Sequence, residues 1–100
     1  LLDEEPGMTV KLARTARNLG APPEACLRAE AGALTALGDF HNARSRWVEL
    51  ITEHPVAAQE PGDYAEAAYT AFENANPQQA MAILTTGLHR FPQEANHGCG

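Results

Sequence analysis

The 100 residues suffice for one small domain and are too few for two independent cores of ordinary size. Thirteen Asp and Glu against seven Lys and Arg give a formal charge of -6, which argues against duplex nucleic acid or an anionic membrane surface as the main partner. Apolar residues make up 44% of the chain, but much of that is alanine, and no apolar run approaches the roughly 18 residues of a membrane span.

Alanine and leucine dominate over valine and isoleucine, and no long stretch alternates apolar with polar, so the reading is all-α. Proline and glycine punctuation divides the chain into about five helices. The first is expected over Val10 to Leu19, with Thr9 as N-cap, Leu12, Ala16 and Leu19 inward, and Lys11, Arg14 and Arg17 as the wet stripe. Gly20 stops it.

The second runs from Pro23 to Leu37 and buries Leu27, Ala31 and Leu34, with Gly38 as its stop. Asp39 caps the third, which reaches Glu53 and carries a strong stripe of Phe40, Ala43, Trp47, Leu50 and Ile51. The fourth begins at Asp63, spaced from Glu66 as in a capping box, and continues to Asn74 with Tyr64, Ala68, Ala71 and Phe72 inward. The fifth follows the Asn76 cap, with Pro77 at its first position and Ala80, Ile83, Leu84 and Leu88 along one face to Arg90. Gly87 inside it costs about 1 kcal/mol against alanine unless close packing requires it.

A shift of 37 residues aligns Leu27 with Tyr64, Ala31 with Ala68, Asp39 with Asn76, Ala43 with Ala80, Trp47 with Leu84, Ile51 with Leu88 and Pro55 with Pro92. The chain thus contains an internal repeat of helical hairpins. In each, a small residue near the start of the second helix is followed by a large apolar residue and then a proline.

This pattern resembles the tetratricopeptide repeat, most closely over Gly38-Asp39-Phe40-His41-Asn42-Ala43, Trp47, Leu50 and Pro55. The second copy, with Tyr64, Ala68, Asn76-Pro77, Ala80, Leu84 and Pro92, is more degenerate. The resemblance implies antiparallel hairpins stacked as a short right-handed solenoid: a capping or partial-repeat segment over 1–23, repeats over 24–57 and 58–94, and a tail over 95–100. The family unit is about 34 residues, which places extra residues in the Val56 to Glu60 connection.

Members of that family act mostly as protein-interaction scaffolds. The first helix of each hairpin lines a concave face, which implies a partner-binding surface of Arg28, Gly32 and Thr35 in one unit and Glu66, Tyr69 and Glu73 in the next. Small side chains there admit a close backbone, and an aromatic between carboxylates suits a peptide carrying Lys or Arg. One branch of the family clamps a C-terminal carboxylate with Lys and Asn one turn apart, but here that place holds Arg28 and Gly32, and the Asn is missing. The alternatives are recognition of a partly cationic carbohydrate polymer, as in exopolysaccharide export, and a structural role in self-association. The latter rests on Leu84, Leu88 and Phe91, an apolar patch that another copy or neighbouring parts of a larger parent chain would cover.

No enzyme activity and no cofactor are expected, because the chain lacks a Gly-rich phosphate loop, a nucleophile elbow and a His with an evident Ser or Cys partner. His41, His54, His89, His97 and Cys99 lack metal-ligand spacing, and Lys11, Arg14 and Arg17 lack the aromatic company of a nucleic-acid face. Trp47 and Cys26 read as packing residues, and His54 and His89 as complements to helix C-termini. The two cysteines form no disulfide framework, and a start at Leu1 reads as a fragment or processed product of undetermined localisation.

Overall fold

The computed structural model describes residues 6–92. Five α-helices follow one another: α1 (Pro6–Asn18), α2 (Pro23–Ala36), α3 (Phe40–Glu53), α4 (Pro61–Glu73) and α5 (Pro77–Arg90). A single 3-10 turn at Val56–Ala58 joins α3 to α4. Each helix packs chiefly against its neighbours in sequence, and the main further contact is a lighter one between α2 and α4. No described helix is long and apolar enough to cross a membrane.

Three of the four connections between helices use the same chemistry. After α1, α2 and α4 an amide closes a turn onto a carbonyl five residues back (Ala21 to Ala16, Asp39 to Leu34, Asn76 to Ala71) at 2.9–3.0 Å. The residue before that amide must enter the left-handed region, and Gly20 (φ 99°) and Gly38 (φ 79°) do so without a Cβ clash. Ala75 does the same job at φ 60°, where a side chain is strained. Asp39 and Asn76 then cap α3 and α5 by accepting from the amides of Asn42 and Gln79.

The fourth connection is built differently. Gln59 is buried, and its side-chain amide donates to the carbonyls of Ile51 at 3.2 Å and His54 at 2.8 Å, which closes the end of α3. Its amide oxygen accepts from the Tyr64 hydroxyl, which itself accepts from Arg90. One glutamine thus ties α3, α4 and α5 together.

The core is a cluster of alanines around Leu27, Leu34, Trp47, Leu50, Ile51, Tyr64 and Ile83. Methyl groups let helices approach closely, and α5 comes close to α4 at Gly87, where a Cβ would lie 2.8 Å from Cβ of Tyr64. That packing is the reason for a glycine within α5.

Several local expectations are corrected. The first helix starts at Pro6, so Thr9 lies inside it rather than capping it. Val10 and Ala13 are its buried residues, while Leu12 is exposed and Leu19 is 82% exposed. Lys11, Arg14 and Arg17 are exposed, as expected of a wet stripe, and from that stripe Arg14 reaches buried Glu30 at 2.9 Å and Arg17 reaches Glu49 at 3.5 Å. The fourth helix starts at Pro61, so Asp63 stands three residues inside the Glu60 cap and accepts its backbone N–H. Phe72 is 62% exposed, because the inward face of α4 is Tyr64, Ala67, Ala68 and Ala71.

Gly87→Ala should lower stability by about 1–2 kcal/mol, overpacking against Tyr64 outweighing the better helix propensity. Ala75→Gly should raise it by about 1 kcal/mol by relieving the left-handed alanine. Urea unfolding of both variants checks the opposite signs. Two carboxyls at helix starts give a pH dependence: the Asn42 side chain and amide hold Asp39 below its ordinary range, and its own backbone amide does the same for Glu24. Both titrate lower folded than unfolded, so the unfolded chain binds more protons and stability rises with pH through this window. Stability should be full above the ordinary carboxylate range and drain away as pH falls through the lowered values. Asp39→Asn, which keeps the cap, should flatten part of that acid limb in urea midpoints measured across pH.

Candidate functional site

The six residues of the expected binding surface lie on α2 and α4, and α4 is strapped to α2 by one of them. Arg28 projects from α2 and donates from Nε and Nη2 to the two carboxylate oxygens of Asp63, both at 2.8 Å. The same Nη2 donates to the Ala58 carbonyl at 3.0 Å, and Glu60 stands 3.8 Å from Nη1. Asp63 is 2% exposed, and the backbone amide of Glu60 also donates to it. The hydrogen bond to Asp63 is the main cause holding the Arg28 guanidinium above its ordinary pKa. Forked pairing of this kind fixes direction as well as distance.

Thr35 is also committed inward. Its hydroxyl accepts from Nε1 of Trp47 at 3.1 Å and donates to the Ala31 carbonyl at 2.9 Å. Gly32, between them, is half-buried with nothing within 4 Å of where its Cβ would stand. Arg28 and Thr35 therefore shape the surface from beneath, while Gly32 leaves it open.

The other three residues form a unit on α4. Tyr69 is partly exposed and meets Phe40 of α3 edge to face, with ring centroids 5.8 Å apart and planes at 85°. Glu66 and Glu73 are exposed about one turn to either side of it on α4, and neither enters an ion pair among the described residues. An aromatic face held still by a second ring and flanked by two free carboxylates can take a cationic side chain.

The apolar patch expected at the far end is present as a surface. Leu84 and Leu88 are 46% and 55% exposed, and with Pro61, Ala65 and Phe91 they line a shallow hollow of about 180 Å³. Phe91 is partly covered by Tyr64, at 5.8 Å between ring centroids.

Reasoning from sequence missed three features. Phe40 reads as part of the packing stripe of the third helix, and no local signal indicates that Tyr69 rests on it. Asp63 reads as a cap, and its 35-residue separation from Arg28 leaves no local signal of their pairing. The third is a trough of about 700 Å³ between α1 and α2, lined by Ala13, Ala16, Ala25, Ala29, Gly32 and Ala33 among others. Its signal was available, since Ala25, Ala29, Gly32 and Ala36 recur at helical spacing without a charge.

Among the described residues, no three His, Cys, Asp or Glu side chains gather as metal ligands would. His97 and Cys99 lie outside the described residues. His54 bonds through Nδ1 to Glu24 at 3.2 Å, joining the end of α3 to the start of α2. Comparison of the chain with family models, with curated proteins and with solved structures returned no match.

Arg28→Ala should destabilise the fold by about 3 kcal/mol, because it leaves a buried carboxylate without its cation. Asp63→Ala should cost a similar amount. The double variant should lose clearly less than the sum of the two, and a double-mutant cycle in urea measures the coupling.

Proposed function

We propose that the chain is a protein-interaction module of tetratricopeptide-like architecture, which binds an extended peptide segment carrying Lys or Arg across the face of α2 and α4. The observation that carries this reading is the Tyr69 platform, propped edge-on by Phe40 and flanked by the unpaired carboxylates of Glu66 and Glu73. Consecutive antiparallel packing of helices of 13 or 14 residues supports the repeat architecture, as do the like turns after α2 and α4. The strap from Arg28 to Asp63 supports a preset spacing between the two helices, so that a ligand need not order them.

On this reading a guanidinium or ammonium lies over the Tyr69 ring and is shared by the carboxylates. The peptide backbone passes Gly32, where no side chain stands in its way. The overall charge of -6 favours the encounter with a basic segment.

The test is NMR titration with an unstructured peptide that alternates Lys or Arg with small residues. Amide shifts should centre on Gly32, Glu66, Tyr69 and Glu73, and Tyr69→Ala should weaken binding roughly fivefold, the equivalent of about 1 kcal/mol. The joint change Glu66→Gln and Glu73→Gln should remove most of the salt dependence. Shifts confined to the exposed faces of α3 and α5 would sink the assignment. Saturation transfer from glucosamine oligosaccharides to Tyr69, with no response to peptide, would replace the peptide by a cationic sugar polymer.

A further inference from the structure

The helices α3 and α5 each pack on α4, and a groove opens between them. Near their starts Arg44 of α3 donates to the Gln79 side chain of α5 at 3.2 Å, and near their ends Arg90 of α5 donates to the Ile51 carbonyl of α3 at 3.2 Å. The two helices therefore run in the same direction. The groove holds a hollow of about 480 Å³ with Val48, Ile51, Tyr64 and Ile83 as its apolar lining, and both Gln79 and Arg90 border it.

What sets this pair of helices apart is the charge of its bridges. The bond from Arg44 to Gln79 spans the same 35 residues as the fork of Arg28 on Asp63, but it ends on a neutral amide where the other ends on a carboxylate. Arg44 enters no ion pair among the described residues, and its Nε is enclosed without a partner. Arg90 is likewise held by neutral oxygens, those of Ile51, Gln59 and Tyr64. By contrast Arg14, Arg17, Arg28 and Arg46 all meet a carboxylate. A guanidinium presents five donors in a fork shaped for a carboxylate, and in Arg44 and Arg90 only Nη1 bonds within the described chain.

No acid of the neighbouring helices answers them. The span 77–90 contains no Asp or Glu, and on α3 Glu49 is paired with Arg46 and Arg17. Glu53 lies on the other flank of Val48 and Thr52, in a hollow shared with Arg17 and His54. At physiological ionic strength charges beyond about 8 Å are largely screened, so an occupant of the groove feels the two arginines more than the remote acids of a chain at -6.

Spacing narrows the choice of occupant. Seven residues of helix separate Arg44 from Ile51, where Arg90 is anchored, a rise of about 10 Å. An extended peptide advances about 3.3 Å per residue and turns alternate side chains the same way, so positions four apart stand about 13 Å from one another on one face. The reach of the arginine side chains covers the difference.

We propose that the groove between α3 and α5 is a second docking site, distinct from the face of α2 and α4, and that it takes an extended acidic peptide in which two carboxylates flank an aliphatic residue at alternate positions. The carboxylates pair with Arg44 and Arg90, and the aliphatic side chain enters the hollow between them.

The experiment is an NMR titration of the full chain with a capped octapeptide that carries Glu, Leu and Glu at alternate positions among Ser and Gly. Amide shifts should centre on Val48, Thr52, Ala82 and Thr86 and should saturate, and replacing the peptide's Leu by Ser should weaken binding at least fivefold. Arg44→Gln should weaken it about fivefold, with helical circular dichroism unchanged. Arg44→Glu should abolish binding, and a peptide with Lys in place of one Glu should restore it. In Arg44→Gln, replacing one peptide Glu by Gln should change nothing further while replacing the other still costs the same factor, which assigns the second carboxylate to Arg90. Tyr69→Ala should bind as the wild type does. Absence of saturating shifts at millimolar peptide overturns the proposal, as does binding that ignores Arg44→Glu or the loss of the leucine. Inorganic phosphate that produces the same shifts at the same concentration makes the groove a general anion site and overturns the peptide as its occupant.

Discussion

The fork of Arg28 on Asp63 is the constraint on which the arrangement of the helices rests. Packing between sequence neighbours fixes each pair of helices but leaves the angle between one pair and the next to be set by something longer. In an alanine-rich interior that something is scarce, because methyl groups slide over one another at little cost. Two parallel hydrogen bonds of 2.8 Å to a carboxylate that also holds the start of α4 remove the freedom. The same bonds dictate what the surface of α2 and α4 can offer, since the only cation among the six candidate residues is already held.

Buried charge performs a related service at the other end. Glu30 is buried among alanines and meets Arg14 of α1 and Arg46 of α3, while Glu49 meets Arg46 and Arg17. Such pairs add little net stability, because desolvation offsets their attraction. They do distinguish one register of α1 from another, which a face of alanines cannot.

The helices and most of the core were legible in the sequence because their signals are local. Gly20, Gly38, the Asp39 and Asn76 caps, and the stripes of Leu27, Ala31, Leu34 and of Ala43, Trp47, Leu50, Ile51 need only a few neighbouring residues to declare themselves. The errors fall where a distant partner overrides local periodicity. Leu12 and Leu19 make a plausible inward stripe, but the packing of α1 on α2 buries Val10 and Ala13 instead. Asp63 makes a plausible cap until Arg28, 35 residues earlier, takes both its oxygens. The candidate surface was legible as a set of positions on two helices. Which of them point outward with free chemistry was not, because that depends on who already holds each side chain.

Neighbour-to-neighbour packing also governs how the chain reaches this structure. Most contacts join helices separated by a short turn, so little chain entropy is lost before contacts form, and topologies of this kind fold fast. The Arg28 fork is an exception, a contact that closes only after α2, α3 and the connection to α4 are in place. Formation of the α2–α3 hairpin can therefore precede the lock between α2 and α4. Because Asp63 is buried, salt screens that lock only weakly once it has closed.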